Sequence, residues 1–563
     1  MWSNKKSRLM TKALFHLRQF RLLLLVLLCA LFSLPLSAQE AYVEKSKDET
    51  TLTFYYDNNR SSRNGKTWGI DEKSNESSWV STPVWAGTNK HPNGVVTKVV
   101  FDASFKNYRP ITTYSWFSCL KALTTIEGLE NLNTSEVTDM RYMFYSCSSL
   151  TELNVSNFNT SKVTSMGSMF FGCSGLTELN VSNFNTSEVT DMRYMFYSCS
   201  SLTELNVSNF NTSKVTSMGG MFSDCSGLTE LNVSNFNTSE VTDMSAMFYN
   251  CSSLTELNVS NFKTSAVTYM SEMFFGCSGL TELNVSNFNT SKVTDMSLMF
   301  YDCSGLKELN VSNFNTSAVT NIKGMFYSCS SLTELNVSNF KTSAVTYMSE
   351  MFSGCSGLKE LNVSNFNTSA VMNMGRMFEG CSGLTELNVS NFRTYAVTDM
   401  SGMFANCSGL TSLNVSNFNT SAVWDMSDMF KNCSSLKELN VSNFNTSKVT
   451  YMRYMFFGCS GLKTIYSANR WRCEQSQNMF KGCTQLKGAV KYDASKVDVT
   501  MANPTTGYFS RKLPTAIGRV VFDDNNTTQI YNLQGKRVNA NQRHLPAGFY
   551  IVNGKKVYLN EKP

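Results

Sequence analysis

Thiols and carboxylates are the reactive groups that this sequence repeats. Cysteines fall on an unbroken 26-residue spacing from Cys147, Cys173 and Cys199 through to Cys459. Glutamates keep the same beat at Glu152, Glu178, Glu204, Glu230, Glu256 and Glu282. Identical residues in adjacent layers would stand roughly 5 Å apart, so the cysteines could bond on spacing alone. An odd-numbered row with apolar neighbours reads better as small buried thiols. Cys473 and Cys483 leave the beat and are the better candidates for a disulfide. No CxxC occurs, which argues against structural zinc. Paired-carboxylate glycoside chemistry needs a cleft and two unlike environments. A ladder of equivalent glutamates on an open face offers neither. The only histidines are His16, His91 and His544, so the repeated region has no imidazole for hydrolase or metal chemistry. Neither a Walker loop nor a dinucleotide fingerprint is present. The reading is a non-enzyme with no catalytic residue, metal or cofactor.

What positions these rows is the unit Leu150–Gly175, LTELNVSNFNTSKVTSMGSMFFGCSG, which recurs without insertion or deletion. A fixed period in this range means stacked repeats, where neighbours bury a face that no unit can bury alone. In Leu150-x-x-Leu153-x-Val155, alternation puts Leu153 and Val155 on one face and Glu152, Asn154 and Ser156 on the other, which predicts a short strand. Phe158 turns inward at its end, and Thr160 or Ser161 would cap a helix. Val163, Met166, Met169, Phe170 and Cys173 step by 3, 3, 1 and 3, a helical stripe. Gly172, Ser198, Asp224 and Asn250 would end that helix, and Gly or Ser at position 175 would let the chain bend into the next strand. The fold expected is therefore an α/β solenoid. Its parallel sheet would lie on a concave face on the order of 60–70 Å long, with short helices on the convex face.

The Leu-x-x-Leu-x-Val run is similar to the strand segment of leucine-rich repeats. With NVSNFNTS and Met-Phe-x-x-Cys-Ser, the whole unit resembles the repeats of BspA-like leucine-rich surface proteins of bacteria. The resemblance implies an extracellular surface protein engaged in adhesion or protein binding. One departure is that Phe158 and its equivalents stand where such repeats carry an asparagine ladder.

The flanks frame the array. Residues 1–38 have a basic start, an apolar run Leu22–Leu34 and a small-residue exit at Ser37-Ala38, the pattern of a secretory signal cut after Ala38. Leu27-Leu28 before Cys29 argues against a lipoprotein site. Residues 39–122 read as an N-terminal cap, with strands at Thr51–Tyr56 and Val95–Phe101. Trp68, Trp79 and Trp85 belong either to that cap or to an aromatic glycan platform. The solenoid spans 123–487, and 488–510 close it with a strand at Ala489–Tyr492. Residues 511–519 form a linker and 520–563 a small β module. That module's IYNLQGKRV, LPAGFYIV, Asn553-Gly554 turn and Lys555-Lys556-Val557 resemble the sorting domains of type IX secretion. The resemblance implies transport to the outer surface of a Gram-negative cell.

Charge narrows the partners. The formal net charge of +6 is carried by Lys5, Lys6, Arg8, Lys12, Arg18 and Arg21 in the signal. The array itself, from Cys147 to Gly461, holds about 24 acids against about 15 bases. Nucleic-acid binding, which needs clustered Lys and Arg, is not expected. The candidate binding ladder is the outward face: Glu152, Asn154, Ser156, Glu178, Asn180, Ser182, Glu204, Asn206, Glu230, Asn232, Glu256, Asn258, Glu282 and Asn284. Copies differ at the expected helix start, making Asp191, Asp243, Tyr269, Asp295, Tyr347, Asp399 and Tyr451 the candidate variable positions. The function expected is an exported adhesin or binding scaffold for a protein or glycan on host or partner cells. The alternatives are a surface-layer or biofilm spacer and a glycan-binding protein. The NVS and NTS triplets are products of repetition.

Overall fold

Backbone hydrogen bonds between residues 25 or 26 apart tie each repeat to the next in the computed structural model, as in Met166 N–H to Asp191 O (3.1 Å) and Thr190 N–H to Thr164 O (2.9 Å). The structure describes residues 3–32, 39–74, 81–511, 530–532, 537–538, 548–552 and 555–559. The result is a repeat, solenoid-like stack, and each 26-residue layer is called a coil below.

Its interior is the one the apolar pattern predicts. Leu150, Leu153, Val155, Phe158, Val163, Met166, Met169, Phe170 and Cys173 are all buried, and so are their equivalents along the array. Each such side chain contributes roughly 1.5–3 kcal/mol when fully buried. The phenylalanines form a continuous spine. From Phe144 to Phe480 successive rings lie 5.4–5.8 Å apart and within 1–9° of parallel. This is the offset stacking that ring quadrupoles favour.

The backbone differs from expectation in both halves of the coil. The Met-x-x-Met-Phe-x-x-Cys half is not helical: the only α-helix among the described residues is α1, Ser3–Phe32. It is a chain of linked turns, with Met169 N–H to Met166 O, Phe171 N–H to Ser168 O and Cys173 N–H to Phe170 O. The intervening amides of Met166, Ser168, Phe170 and Gly172 all point to carbonyls of the next coil at 2.7–3.1 Å. Two positions per coil take a positive φ, Ser168 (57°) and Gly172 (69°) in this copy. An α-helix cannot contain such residues, whereas successive turns of this kind require them. Steps of 3 and 4 arise from successive turns as readily as from a helix.

The Leu-x-x-Leu-x-Val half alternates inward and outward as expected, yet mostly lacks sheet pairing. Between Asn131 and Glu438 its one parallel bridge is Glu204 with Glu230. True strands occur where the array meets its ends. At the N-terminal end β1 (Glu40–Lys45), β2 (Thr51–Asp57), β3 (Lys66–Gly69), β4 (Lys98–Phe101) and β5 (Thr125–Glu127) form a sheet in the order β3-β1-β2-β4-β5. Pairing is antiparallel through β3, β1 and β2, then parallel from β2 to β4 to β5. Trp68 and Trp85 are buried in its core, and the Trp85 indole donates to Trp116 O at 2.9 Å. They pack the cap and present no glycan platform, and Trp79 lies outside the described residues.

At the other end β6 (Glu438–Asn440), β7 (Thr464–Tyr466) and β8 (Phe509–Ser510) pair in parallel. Residues 489–492 form no strand; a single antiparallel bridge joins Lys487 and Lys491. Cys473 and Cys483 are free thiols, not a disulfide. Cys473 Sγ donates to Thr450 O and Cys483 Sγ to Phe456 O, so each satisfies a different coil. The C-terminal segment has β9 (Ile530–Asn532), β10 (Arg537–Val538), β11 (Gly548–Val552) and β12 (Lys555–Leu559), in the order β10-β9-β11-β12, all antiparallel. Val552 pairs with Lys555, the two-residue connection that Asn-Gly favours. The 553–554 dipeptide itself lies outside the described residues.

Candidate binding surfaces

Three rows of side chains run along the array, each set by a different backbone feature. The first is the predicted ladder. Glu152, Glu178, Glu204, Glu230, Glu256 and Glu282 are exposed. None of these carboxylates enters an ion pair among the described residues. The asparagines beside them also hold their own backbone. Asn154 Oδ1 accepts the Ser156 N–H (3.0 Å), and Asn180, Asn206, Asn232, Asn258 and Asn284 repeat the bond with the serine two residues on. This Asx turn fixes the bend after Val155 and occupies one lone pair of the amide oxygen. Ser156 and Ser182 remain exposed.

Sequence reasoning missed the neighbouring asparagine. Asn183 Nδ2 donates back to Val155 O, Ser156 O and Phe158 O of the preceding coil, at 3.0–3.1 Å. Most later copies repeat at least part of this fork, so the asparagine ladder exists one residue before the phenylalanine. Its signal was the constant Asn in Ser-Asn-Phe. Thr160 is a second bracket, not a helix cap: buried, it donates to Asn185 O (2.9 Å) and accepts Asn185 N–H (2.7 Å). These two side chains do for the first half of the coil what backbone pairing does for the second.

The second row holds the predicted variable positions. Asp191, Asp243, Tyr269, Asp295, Tyr347, Asp399 and Tyr451 lie in a continuous ladder of parallel bridges running from Thr112 to Gln475. They are the regular sheet-like feature of the array, not the starts of helices. Tyr269 and Tyr347 stand 54% and 49% exposed. The aspartates fold back on their own turns, as Asp243 does on Ser245 and Asp191 on Arg193.

A third row was not foreseen. Tyr145, Phe171 and Tyr197 stack at 4.6 and 4.3 Å, and Tyr249, Phe275, Tyr301 and Tyr327 at 4.4, 4.4 and 4.2 Å. These half-buried rings occupy the residue after a spine phenylalanine, with a gap at Ser223, and later coils replace them with Ser353, Glu379, Ala405 and Lys431. Burial, then the Asp224 carboxylate, pushes the Tyr197 hydroxyl up to about 12. Burial likewise lifts Tyr301 to about 12, with Tyr327 adding to it.

The thiol row is core. Cys173 Sγ donates to Phe144 O of the preceding coil at 3.0 Å, and the bond recurs at each equivalent cysteine. Desolvation raises Cys173 and Cys225 to about 12, which keeps them protonated and unreactive. Among the described residues no cluster of three or more His, Cys, Asp or Glu could hold a metal ion.

Side-chain brackets and linked turns that repeat from coil to coil define a repeat protein of stacked 26-residue units. The chain belongs to the family described as "Mycoplasma protein of unknown function, DUF285", whose model matches residues 113–231, 216–333, 305–408 and 381–492. Among solved structures it is similar to a leucine rich cell surface protein from Faecalibacterium prausnitzii, at 18% identity and a TM-score of 0.33, covering 80% of this chain and 97% of that one. A leucine-rich repeat protein from Eubacterium ventriosum is similar at 16% identity and a TM-score of 0.34, covering 77% and 95%. No curated protein matches.

Proposed function

We propose that this chain is an exported bacterial surface protein that binds a partner through the open rows of its repeat array, as an adhesin or binding scaffold. The observation that carries the reading is the row of exposed, unpaired glutamates held in register by Asx turns and asparagine forks. In-register carboxylates repel one another, and a basic or cationic partner relieves that repulsion. Many equivalent weak contacts along one rigid surface act together through avidity. In this reading residues 1–38 direct export and 520–563 sort the chain to the outer surface. The resemblance of the tail to type IX sorting domains supports that part.

The test is a binding screen of the purified chain against matrix proteins, mucin and partner cells. It is repeated with Glu178, Glu204, Glu230 and Glu256 changed to Lys. The expected result is binding to at least one member of the panel that falls tenfold or more on charge reversal. Binding that survives reversal moves the site to the bridge or aromatic rows. A folded chain that binds nothing overturns the proposal.

A further inference from the structure

The last coil is two residues short. Tyr451 pairs with Gln475, where every earlier bridge between Asp139 and Tyr451 joins residues 26 apart. In full-length coils the buried threonine is bracketed by the next coil, as Thr420 is by Asn445 (2.9 and 2.8 Å). Thr446 has no such bracket among the described residues and is half-exposed. Beside it opens a hollow of about 880 Å³, walled by residues 443–450 and 469–474.

Its chemistry is unlike that of the rest of the array. Lys448 stands on one wall and Arg470 and Arg472 on the other, all exposed and none in an ion pair among the described residues. Glu474 is the one acid in the lining. Trp471 forms part of the wall, is 2% exposed, and its indole N–H finds no acceptor among the described residues. Phe444 and Val449, also in the lining, are buried and offer little apolar surface to a ligand. Thr450, also in the lining, donates its N–H to Trp424 O at 2.9 Å. Trp424 is 45% exposed, in a column where the other coils carry Thr, or Met at 372.

We infer that this hollow binds an anionic carbohydrate, a sugar chain bearing carboxylate or sulfate groups. Arg470, Arg472 and Lys448 supply charge-assisted donors for the anionic groups. Thr446 and Ser447 offer the few convergent polar contacts that orient hydroxyls. Trp424 lies one coil back, its backbone joined to Thr450 of the lining, and its exposed indole, apolar over its face and polar at its tip, suits the side of a sugar ring on a chain that extends beyond the hollow. An acidic peptide would match the cations but would find no pocket for its apolar side chains. The inference rests on the reading of this chain as a ligand-binding surface protein. It uses a different surface from the glutamate row.

Calorimetric titration of the full chain tests it. The probes are a heparin hexasaccharide, a galacturonate hexamer and a poly-glutamate peptide, with binding repeated in Arg470→Glu/Arg472→Glu and in Trp424→Thr. The expected result is that at least one saccharide binds and loses tenfold or more affinity in the double variant. A smaller loss, about threefold, is expected in Trp424→Thr. The bound saccharide also slows iodoacetamide labelling of Cys473, the half-exposed thiol in the lining. Circular dichroism and melting of the variants establish that they fold. The inference is overturned if neither saccharide binds, if the double variant binds as the parent does, or if poly-glutamate binds as tightly as the saccharides. If saccharide binding fails while the matrix panel still binds through the glutamate row, only the hollow is lost. If both fail, the proposed function falls with it.

Discussion

The two halves of each coil bury the same kinds of side chain but hold to their neighbours by different means. In the half that contains Leu153 and Val155, neighbouring backbones rarely pair, and Asn183-type forks and Thr160-type brackets take up the carbonyls and amides. In the half that contains Met166 and Phe170, alternate backbone amides bond directly to the next coil, and the phenylalanine spine stacks behind them. The general lesson is that every buried amide and carbonyl must find a partner, but a side chain can serve as well as a strand. A repeat can therefore keep the alternation of a strand while its backbone does not form one.

The largest test of that contrast is in the spine. Phe300 is stacked on Phe274 and Phe326, both at 5.7 Å, whereas Phe314, in the other half, meets Phe300 tilted at 6.5 Å. Phe300→Ala is expected to cost about 3–5 kcal/mol. Phe314→Ala should cost about 1 kcal/mol less, the share due to ring stacking. Because a repeat array can open locally, the measurement is hydrogen exchange in the coils on either side, together with denaturant unfolding. Equal losses at the two sites would remove the difference between the halves.

Next in size is the bracket. Thr290 Oγ1 donates to Asn315 O (3.0 Å) and accepts Asn315 N–H (2.8 Å) while fully covered. Thr290→Val keeps the shape and leaves both groups unpaired, an expected loss of about 1–3 kcal/mol. Asn310→Ala removes two exposed bonds, from the Ser312 N–H and the Ser312 hydroxyl, and should cost about 0.5 kcal/mol because water can replace both. If the two variants unfold at the same denaturant concentration, the side-chain bracket is not what replaces the missing sheet.

How much of this was legible follows from what each residue reports. The nine inward positions of Leu150–Gly175 were readable because burial depends on side-chain type, and repetition multiplies the signal. The linked turns were not, because a step of three or four residues is shared by helices and by successive turns. The discriminating evidence was present in Gly172, Ser198, Asp224 and Asn250, which read as helix stops but hold the positive-φ position of a turn. The second positive-φ position carries no such mark, since Tyr194, Glu272, Leu298 and Arg376 all occupy it. Among the candidate sites, the exposed glutamates were readable from alternation. The role of Asn154 was not, because a polar residue on an outward position looks the same whether it faces a ligand or its own backbone. The hollow beside Thr446 comes from the two-residue shortening before Cys483, visible in the spacing but without meaning until the bracket was seen.

That unmarked position offers a smaller effect of opposite sign. Leu298 holds φ at 58°, and a left-handed conformation costs an L-residue about 1–2 kcal/mol. Leu298→Gly should raise the melting temperature, with a net gain of up to about 1 kcal/mol once the entropy of glycine is offset. Gly276→Ala, at φ 68°, should lower it by a similar amount. A fall on Leu298→Gly would mean that the side chain's contact with the next coil outweighs the backbone strain.

The smallest expected effect lies in the outer row of the second half, where Glu379 takes the place of an aromatic ring. Burial pushes its carboxyl above the ordinary range, and Asp428 and Glu350 add to this, while Arg376 (3.6 Å) and Lys431 oppose it. A carboxyl raised in the folded chain binds its proton more tightly there than in the unfolded chain. Its contribution to stability is therefore complete below the unfolded value, near 4.3, and is lost as pH rises through the folded value. At neutral pH the half-buried charge weakens the fold, so Glu379→Gln should melt slightly higher than the parent at pH 7. That gain should shrink to nothing by about pH 4, where both side chains are neutral. Thermal melts across this range decide it. A gain independent of pH would mean that the glutamine side chain simply packs better, and a loss at pH 7 would mean that the ion pair with Arg376 outweighs the burial of the charge.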